Sequence, residues 1–163
     1  MFGRGMFDSR MERFALRRKK IIRRARKGRP IRQVAALPFR LTEDGRMEVM
    51  LVTSRSTRRF IVPKGWPMKG RSAREAACLE ALEEAGVAGR MLEEPIGQYR
   101  YWKRLEKQFV PVDVTVYLLS VEDELAEWGE AGARQRAWLS PGDAATLIDE
   151  PELAQLMSSL EPA

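Results

Sequence analysis

The sequence predicts an α/β fold in which helices pack against a sheet. Segments rich in Val, Leu and Ile, typical of strands, alternate with segments of helical periodicity. Clusters of glycine and proline separate these segments, and apolar residues make up 44% of the 163 residues, which is enough for a packed core. Strands intermixed with helices are typical of layered α/β structures, and no internal repeat is visible.

The N-terminal thirty residues form a predicted basic arm. Residues 1–30 contain 12 Lys and Arg against 2 acidic residues, whereas residues 31–163 contain 17 against 21. Apolar residues on one face from Met11 to Lys27 predict a basic amphipathic helix that ends near Gly28 and Pro30. Such a helix could contact an anionic membrane, RNA or a polyphosphate ligand, serve as a solvated arm, or belong to an organelle transit peptide. We expect an arm over residues 1–30 and a domain over residues 31–163.

The first strands follow the arm directly. Strands are predicted over Ile31–Leu41 and Met47–Thr53, joined by the turn-forming run Glu43–Gly45. A third, short strand is predicted over Arg59–Val62. It leads into Pro63–Gly70, where two prolines and two glycines predict a loop.

The remaining elements alternate in the same way. Strands are predicted over Ile96–Trp102 and Phe109–Leu119, the latter with valine at every second position, and a last short strand at Trp138–Leu139. A C-terminal helix is predicted over Pro141–Leu160. We expect an interruption near Pro151, because proline cannot donate the helical hydrogen bond.

Composition excludes several kinds of site. The chain has no histidine and one cysteine, Cys78, which excludes internal disulfides, cysteine-based zinc sites and histidine-dependent nucleophilic catalysis. Catalytic or metal chemistry must therefore come from carboxylates, supported by Lys, Arg, Tyr and the backbone. No run approaches the ~18 apolar residues that cross a bilayer, and no secretory signal pattern is present. We expect a cytoplasmic protein.

A helix predicted over Ala73–Ala85 has well-marked ends. Ser72 and Glu75 have the spacing of a capping box, in which the serine oxygen accepts the glutamate amide hydrogen. Gly86 suits the left-handed conformation that follows a helix end. The helix is therefore expected to begin and end at these residues.

This helix carries three closely spaced acids. Glu80, Glu83 and Glu84 occupy positions i, i+3 and i+4, so their carboxylates are expected on one face, with Cys78 and Leu82 facing the core. No Lys or Arg lies three or four residues from any of them. Either a divalent cation bound through oxygen or an arginine from another segment could neutralise the cluster, and the spacing leaves both open.

The segment Gly65–Val87 resembles the signature of the Nudix hydrolase family. That signature reads G-x5-E-x7-R-E-U-x-E-E-x-G-U, with U apolar, and the 23-residue segment matches its glycines and its last three glutamates. It departs at Arg71, where the family has Glu, and at Leu79, where the family has Arg. The order of strands and helices over residues 31–160 is also similar. The resemblance implies an α/β/α sandwich with a mixed sheet, here preceded by the basic helix.

The resemblance further implies hydrolysis of an organic diphosphate with Mg²⁺ or Mn²⁺. It implies Glu80 and Glu84 as metal ligands, helped by a backbone carbonyl of Lys64 or Gly65. It implies Glu83 as the base or a further ligand, so that the three glutamates are the candidate catalytic residues. Such a site makes physical sense, because bound cations polarise phosphoryl oxygens while a carboxylate activates water.

Several segments resemble one branch of the family, the diphosphoinositol polyphosphate phosphohydrolases and their relatives that cut diadenosine polyphosphates. These segments are Val34–Arg40, Leu51–Arg55, Phe60–Trp66 and Ala133–Leu139. Arginine suits such polyanionic substrates because its fork binds phosphate at two points. The candidate substrate-binding residues are Arg32, Ser54, Arg55, Lys64, Trp66, Arg134 and Arg136.

Two functions remain open at the level of sequence. The first is a metal-dependent pyrophosphohydrolase acting on a diphosphoinositol or diadenosine polyphosphate. The second is a non-catalytic module that holds a phosphate ligand while the arm engages RNA or a membrane. Arg71 and Leu79 motivate the second, because losing a pair that orients the carboxylates could lower the rate by orders of magnitude. The oligomeric state is left unknown.

Overall fold

The sheet places the helix Ala73–Ala85 beside the two-residue strand Lys64–Gly65. The computed structural model describes residues 16–105 and 107–161. In chain order the elements are α1 (16–26), β1 (Ile31–Leu41), β2 (Met47–Thr53), β3 (Phe60–Ile61), β4 (Lys64–Gly65), α2 (Ala73–Ala85), β5 (Val87–Met91), β6 (Gly97–Leu105), β7 (Gln108–Glu124), β8 (Arg136–Leu139), α3 (Pro141–Leu147) and α4 (Pro151–Ser158).

These strands form a mixed sheet with the order β3-β2-β1-β7-β5, to which β4, β6 and β8 add through β1, β7 and β2. The α/β class and the sandwich with a mixed sheet are confirmed. The bounds of β1, β2 and α2 are those predicted, and the C-terminal helix is interrupted before Pro151, as expected.

Two strands were not predicted. The segment Pro63–Gly70, predicted as a loop, contains β4, whose Gly65 and Lys64 pair with Val34 and Ala35 of β1. Strand β5 follows α2 directly and pairs with β7 across a bulge near Gly89. Both strands depend on partners distant in sequence, so neither carries a local alternating pattern.

The chain divides into two compact units. Within the described residues, the first joins residues 16–31 with the hairpin end Trp102–Val112, and the second comprises residues 32–101 and 113–161. The predicted helix is confirmed over 16–26, while its first predicted residues, 11–15, lie outside the described residues. The boundary predicted at residue 30 stays a prediction. Described apolar side chains buried in the first unit are Ile21, Ile31, Leu105, Val110 and Val112.

Helix α2 packs on the sheet through alanines. Its buried residues are Ala76, Ala77, Ala81, Glu84 and Ala85. The prediction that Cys78 and Leu82 face the core was wrong for Leu82, which is 39% exposed, while Cys78 is half-buried. Small side chains allow the helix backbone to approach the sheet closely, so the alanine face is buried and the larger leucine is displaced outward.

Candidate active site

The two ends of α2 are held as its sequence predicts. The Ser72 hydroxyl oxygen accepts a hydrogen bond from the Glu75 amide at 3.1 Å. Gly86 has φ 65°, the left-handed conformation expected beyond the helix end. A Cβ at Gly86 would lie 2.8 Å from the Trp128 ring and from Arg136 Nη1, so this position also requires the absence of a side chain.

Glu84 has a buried carboxylate that accepts hydrogen bonds from two donors. It is 8% exposed; its Oε2 accepts the Lys64 backbone N–H at 3.0 Å, and its Oε1 accepts Arg134 Nη2 at 3.2 Å. Burial raises the pKa of Glu84 to about 7, against the opposing effects of Arg134 and the Lys64 amide. Glu84 therefore changes between its protonated and its ionised form near neutral pH.

Arg134 is an arginine from another segment that bonds one of the three glutamates, Glu84. Such a partner was one of the two alternatives that the sequence left open. Its side chain is 8% exposed, and besides Glu84 it donates to Glu130 Oε2 at 2.8 Å and to the Thr53 carbonyl at 3.1 Å. Arg55, predicted to bind substrate, lies 3.1 Å from Glu130 Oε1. The structure thus places Arg134 in a protein network around Glu84, with its three nitrogens donating to protein groups.

Glu80 lies against strand β4. A Cβ at Gly65 would be 2.1 Å from Glu80 Oε1, so a side chain at this position would displace the Glu80 carboxylate. Gly65 is held in place by its pairing with Val34 of β1. Since the neighbouring Lys64 amide holds Glu84, the two carboxylates meet the backbone of the same two-residue strand.

Glu83 lies beside the segment that follows β7, near Gly129. Its side chain is exposed, and a Cβ at Gly129 would lie 3.7 Å from its Cγ. It borders an open pocket of about 410 Å³. The other residues of this pocket are Met68, Leu79, Leu82, Leu125, Trp128 and Gly129. Leu79, which replaces the family arginine, therefore borders an apolar pocket beside Glu83.

The donors on β4 and α2 fit a magnesium-class ion. Within residues 16–105 and 107–161, no three or more His, Cys, Asp or Glu side chains gather closely enough to hold a metal ion. Mg²⁺ commonly takes only one or two carboxylates and completes its shell with water and substrate phosphate. Glu80, whose carboxylate fills the space beside Gly65, and Glu84 match that requirement with oxygen donors alone. The ligand roles of Glu80, Glu84, Glu83, Lys64 and Gly65 all stay predictions.

The segment 125–136 binds the C-terminal end of α2. The last carbonyls of a helix lack partners within it, and here three of them and the carbonyl of the following Gly86 accept hydrogen bonds from this segment. The bonds are Glu130 N to Glu83 O at 3.2 Å, Trp128 Nε1 to Glu84 O at 3.0 Å, Arg136 Nη1 to Ala85 O at 2.9 Å and Leu125 N to Gly86 O at 2.8 Å. This segment therefore sets the position of the residues that carry Glu83 and Glu84.

Arg136 holds this segment together. Its guanidinium carbon lies 4.0 Å from the centre of the Trp128 ring, and its Nη2 donates to the Leu125 carbonyl at 2.6 Å. A cation at a helix C-terminus is also favoured by the helix dipole. Although the resemblance offered Arg136 as a phosphate ligand, the structure places it on the helix end.

The other candidate substrate residues lie around β1, β2 and β4. Arg32 is exposed, and Trp66 is half-buried. Ser54 Oγ lies 2.6 Å from Thr57 Oγ1. Lys64 Nζ lies 5.2 Å from the centre of the Tyr101 ring. Their roles toward a substrate stay predictions.

Sequence reasoning missed Glu130, which bridges Arg55 and Arg134. It also missed Gln33, whose buried Oε1 accepts the Tyr101 hydroxyl at 2.6 Å. Nothing local marks Gln33, whose partner lies on a distant strand, and for Glu130 only its spacing from Arg134 is local. An acid four residues before Arg134 was the one available signal.

Comparison with known proteins agrees with this geometry. A family model described as NUDIX domain matches residues 31–160. Nudix hydrolase 16, mitochondrial, of Arabidopsis thaliana is 34% identical over 128 residues, covering 71% of each chain. Nudix hydrolase 13, mitochondrial, of the same plant is 30% identical over 130 residues, covering 68% of this chain and 63% of that one. For Nudix hydrolase 4 the covered share is 46%, so the chain spans about half to seven tenths of these relatives.

Solved structures share the fold. A C. elegans Ap4A hydrolase binary complex superposes with a TM-score of 0.59 at 20% identity, covering 78% of this chain and 93% of that one. The NUDIX domain of Shewanella oneidensis NrtR complexed with ADP ribose gives a TM-score of 0.59 at 14% identity, covering 80% and 87%. With the family match over residues 31–160, these findings establish that the chain belongs to the Nudix hydrolase family.

Proposed function

We propose that this protein is a divalent-metal-dependent pyrophosphohydrolase that cleaves a phosphoanhydride in a highly phosphorylated small molecule. The observation that carries the proposal is the meeting of two carboxylates at one strand: Glu80 fills the space at Gly65, and Glu84 accepts the Lys64 amide at 3.0 Å. Membership of a hydrolase family supports the same reaction.

In this proposal the residues of the chain position the reacting groups and accept a proton. Bound Mg²⁺ or Mn²⁺ supplies the Lewis acid that polarises phosphoryl oxygens. Glu80 and Glu84 would hold the ion, and the Lys64 amide and Arg134 fix the orientation of Glu84. Glu83 is exposed, so its carboxylate is free to accept the proton of the attacking water.

For the substrate we propose a diadenosine polyphosphate or a diphosphoinositol polyphosphate. An Ap4A hydrolase is among the structural neighbours, which supports the dinucleotide. Arg32 and Arg55 are exposed on the strand β1 and after β2, where they could contact phosphates. We propose that these two residues, with Ser54, Lys64 and Trp66, bind substrate, whereas Arg134 and Arg136 act by holding α2.

The test is a turnover assay with both substrate classes. The purified chain is incubated with diadenosine tetraphosphate or a diphosphoinositol polyphosphate, with Mg²⁺, Mn²⁺ or chelator, and phosphorylated product is measured. We expect metal-dependent turnover that Glu83→Gln lowers by about a hundredfold, in the range of general-base effects. Glu75→Gln, an exposed acid in the first turn of the same helix, is the matched control and is expected to keep wild-type turnover.

Binding without turnover would instead support the second candidate, a non-catalytic phosphate-binding module. The observation that favours this candidate is that, in the described part of the chain, no three acidic side chains gather closely enough to hold a metal ion. Replacing Arg71 by Glu and Leu79 by Arg restores the family pair. Activity that rises in this double variant would indicate a box weakened by its two departures.

The cellular compartment and the contacts of the arm are also proposals. No helix within residues 16–105 and 107–161 is long and apolar enough to cross a membrane. Arabidopsis relatives carry both mitochondrial and chloroplastic names, so the cytoplasmic location expected from the sequence stays a proposal. Contact of residues 1–30 with an anionic membrane or RNA has the same standing.

A further inference from the structure

The first compact unit is densely basic. Residues 16–31 contain nine Lys and Arg and no acid, and residues 102–112 add three more with one acid. Most of these cations are exposed. Because the two stretches belong to one unit, their charges add to the same local positive potential.

Exposed aromatic side chains lie among these cations. Trp102 is 63% exposed and Phe109 is 64% exposed, one on each strand of the β6–β7 hairpin. Cross-strand bonds join Gln98 to Thr115 and Arg100 to Asp113. The same register places Arg104 opposite Phe109 and Trp102 opposite Pro111, so both rings share one hairpin face, while Leu105, Val110 and Val112 are buried.

We propose that this basic–aromatic surface, defined by the cations of residues 16–31 and by Trp102, Arg104 and Phe109, binds single-stranded nucleic acid. Every base has a flat face that stacks on an exposed ring, and clustered Lys and Arg bind the phosphates between the bases. The surface lies in the unit that contains neither Glu80 nor Glu84, and it is independent of the proposed hydrolase reaction.

Two observations favour nucleic acid over a lipid bilayer. Ile21, on the aliphatic face of α1, is buried, so this side chain is not available to enter a membrane. The exposed residues beside the two rings are also polar or cationic, since Arg104, Lys107 and Gln108 are exposed in the same unit. Polar groups alternating with rings suit a strand of bases and phosphates better than hydrocarbon.

Fluorescence anisotropy of the full chain with labelled 20-nucleotide oligo(U) tests the proposal. Trp102→Ala with Phe109→Ala is expected to weaken binding at least tenfold, because each stacked base contributes about 1–3 kcal/mol. The salt dependence should stay unchanged, since no charge is removed. Arg23→Gln with Arg24→Gln should instead reduce the slope of log K against log salt by roughly 1.4, or 0.7 for each phosphate contact.

Matched controls lie in the second unit. Leu41→Ala removes a side chain from a residue that is 63% exposed, and Arg46→Gln removes a cation whose side chain is 81% exposed. Both are expected to bind as the wild type does. Oligo(dT) separates RNA from DNA, because only RNA offers the 2′-hydroxyl. Turnover by the hydrolase assay is expected to be unchanged in the aromatic variant, so the two proposals fail separately.

Three results would overturn the proposal. One is equal oligo(U) affinity for the wild type and the aromatic variant. A second is duplex bound as tightly as oligo(U), because paired bases cannot stack on the rings. A third is binding to vesicles of phosphatidylglycerol and phosphatidylcholine that the aromatic variant loses, while its oligo(U) affinity stays unchanged. That result would identify a membrane-binding surface instead.

Discussion

At the scale of single residues, Glu84 combines burial with charge pairing. Removing a carboxylate from water disfavours its ionised form, while the Arg134 guanidinium and the Lys64 amide favour it. Burial has the larger effect, so the pKa of Glu84 is raised to about 7. In the metal-free protein, this acid is neutral below that pH and becomes ionised above it.

Glu84 should therefore make folding stability fall as pH rises. Its pKa lies near 4.5 in the unfolded chain and about 7 in the folded one, so the folded state binds the extra proton. The contribution is fully present below pH 4.5 and is lost as pH rises through 7, about 3 kcal/mol in all. Urea unfolding at several pH values, without divalent metal, is expected to reveal this loss in the wild type.

Glu84→Gln serves as the comparison for that loss. Glutamine is neutral at every pH, so the variant should lack this fall between pH 4.5 and 7, whatever its absolute stability. Parallel pH profiles for the two proteins would mean that Glu84 keeps an ordinary pKa. Glu75→Gln, exposed on the same helix, should keep the wild-type profile.

At the scale of elements, local signals predicted α2 and distant contacts completed it. Ser72 and Gly86 mark its ends through bonds and a conformation that involve neighbouring residues, so sequence was sufficient. The salt bridge from Arg134 to Glu84 spans 50 residues, and no pattern near either residue indicates it. The outward position of Leu82 was missed for a related reason, because the closeness of helix and sheet is decided by the alanines facing the sheet.

The hold of segment 125–136 on α2 can be tested at Arg136. Arg136→Met keeps the stem of the side chain but removes its bonds to the Ala85 and Leu125 carbonyls. Hydrogen bonds from charged donors contribute about 1.5–3 kcal/mol, so we expect a loss of about 2 kcal/mol in the free energy of unfolding. Hydrogen exchange should accelerate at the last turn of α2 and in the segment.

Arg90→Met is the matched control for this substitution, because Arg90 is exposed on β5. It is expected to change the free energy of unfolding by no more than about 0.5 kcal/mol, as is usual for surface positions, and to leave hydrogen exchange unchanged. Unchanged exchange at the end of α2 in Arg136→Met would contradict a role for Arg136 in holding the helix.

At the scale of the whole molecule, charge and packing divide the chain differently. Sequence separates a basic stretch ending at residue 30 from a mildly acidic remainder, because charge is read residue by residue. Packing instead groups the described N-terminal helix with the hairpin end Trp102–Val112, some seventy residues later. Family resemblance could supply the sandwich over residues 31–160, but the joining of helix and hairpin depends on buried contacts that composition does not encode.

A substitution of Ile21 tests whether the N-terminal helix and the hairpin end Trp102–Val112 unfold as one unit. It is 9% exposed in the unit that also buries Leu105, Val110 and Val112, so Ile21→Ala removes packed methyl groups there. Losses of about 2–5 kcal/mol are typical of such truncations, and the partly open edge favours the lower end. We expect faster hydrogen exchange over residues 107–112 with unchanged exchange in α2, because the second unit has a core of its own. Leu16→Ala, at a residue that is 66% exposed, should leave both unchanged, whereas equal acceleration in α2 would mean that the two units unfold together.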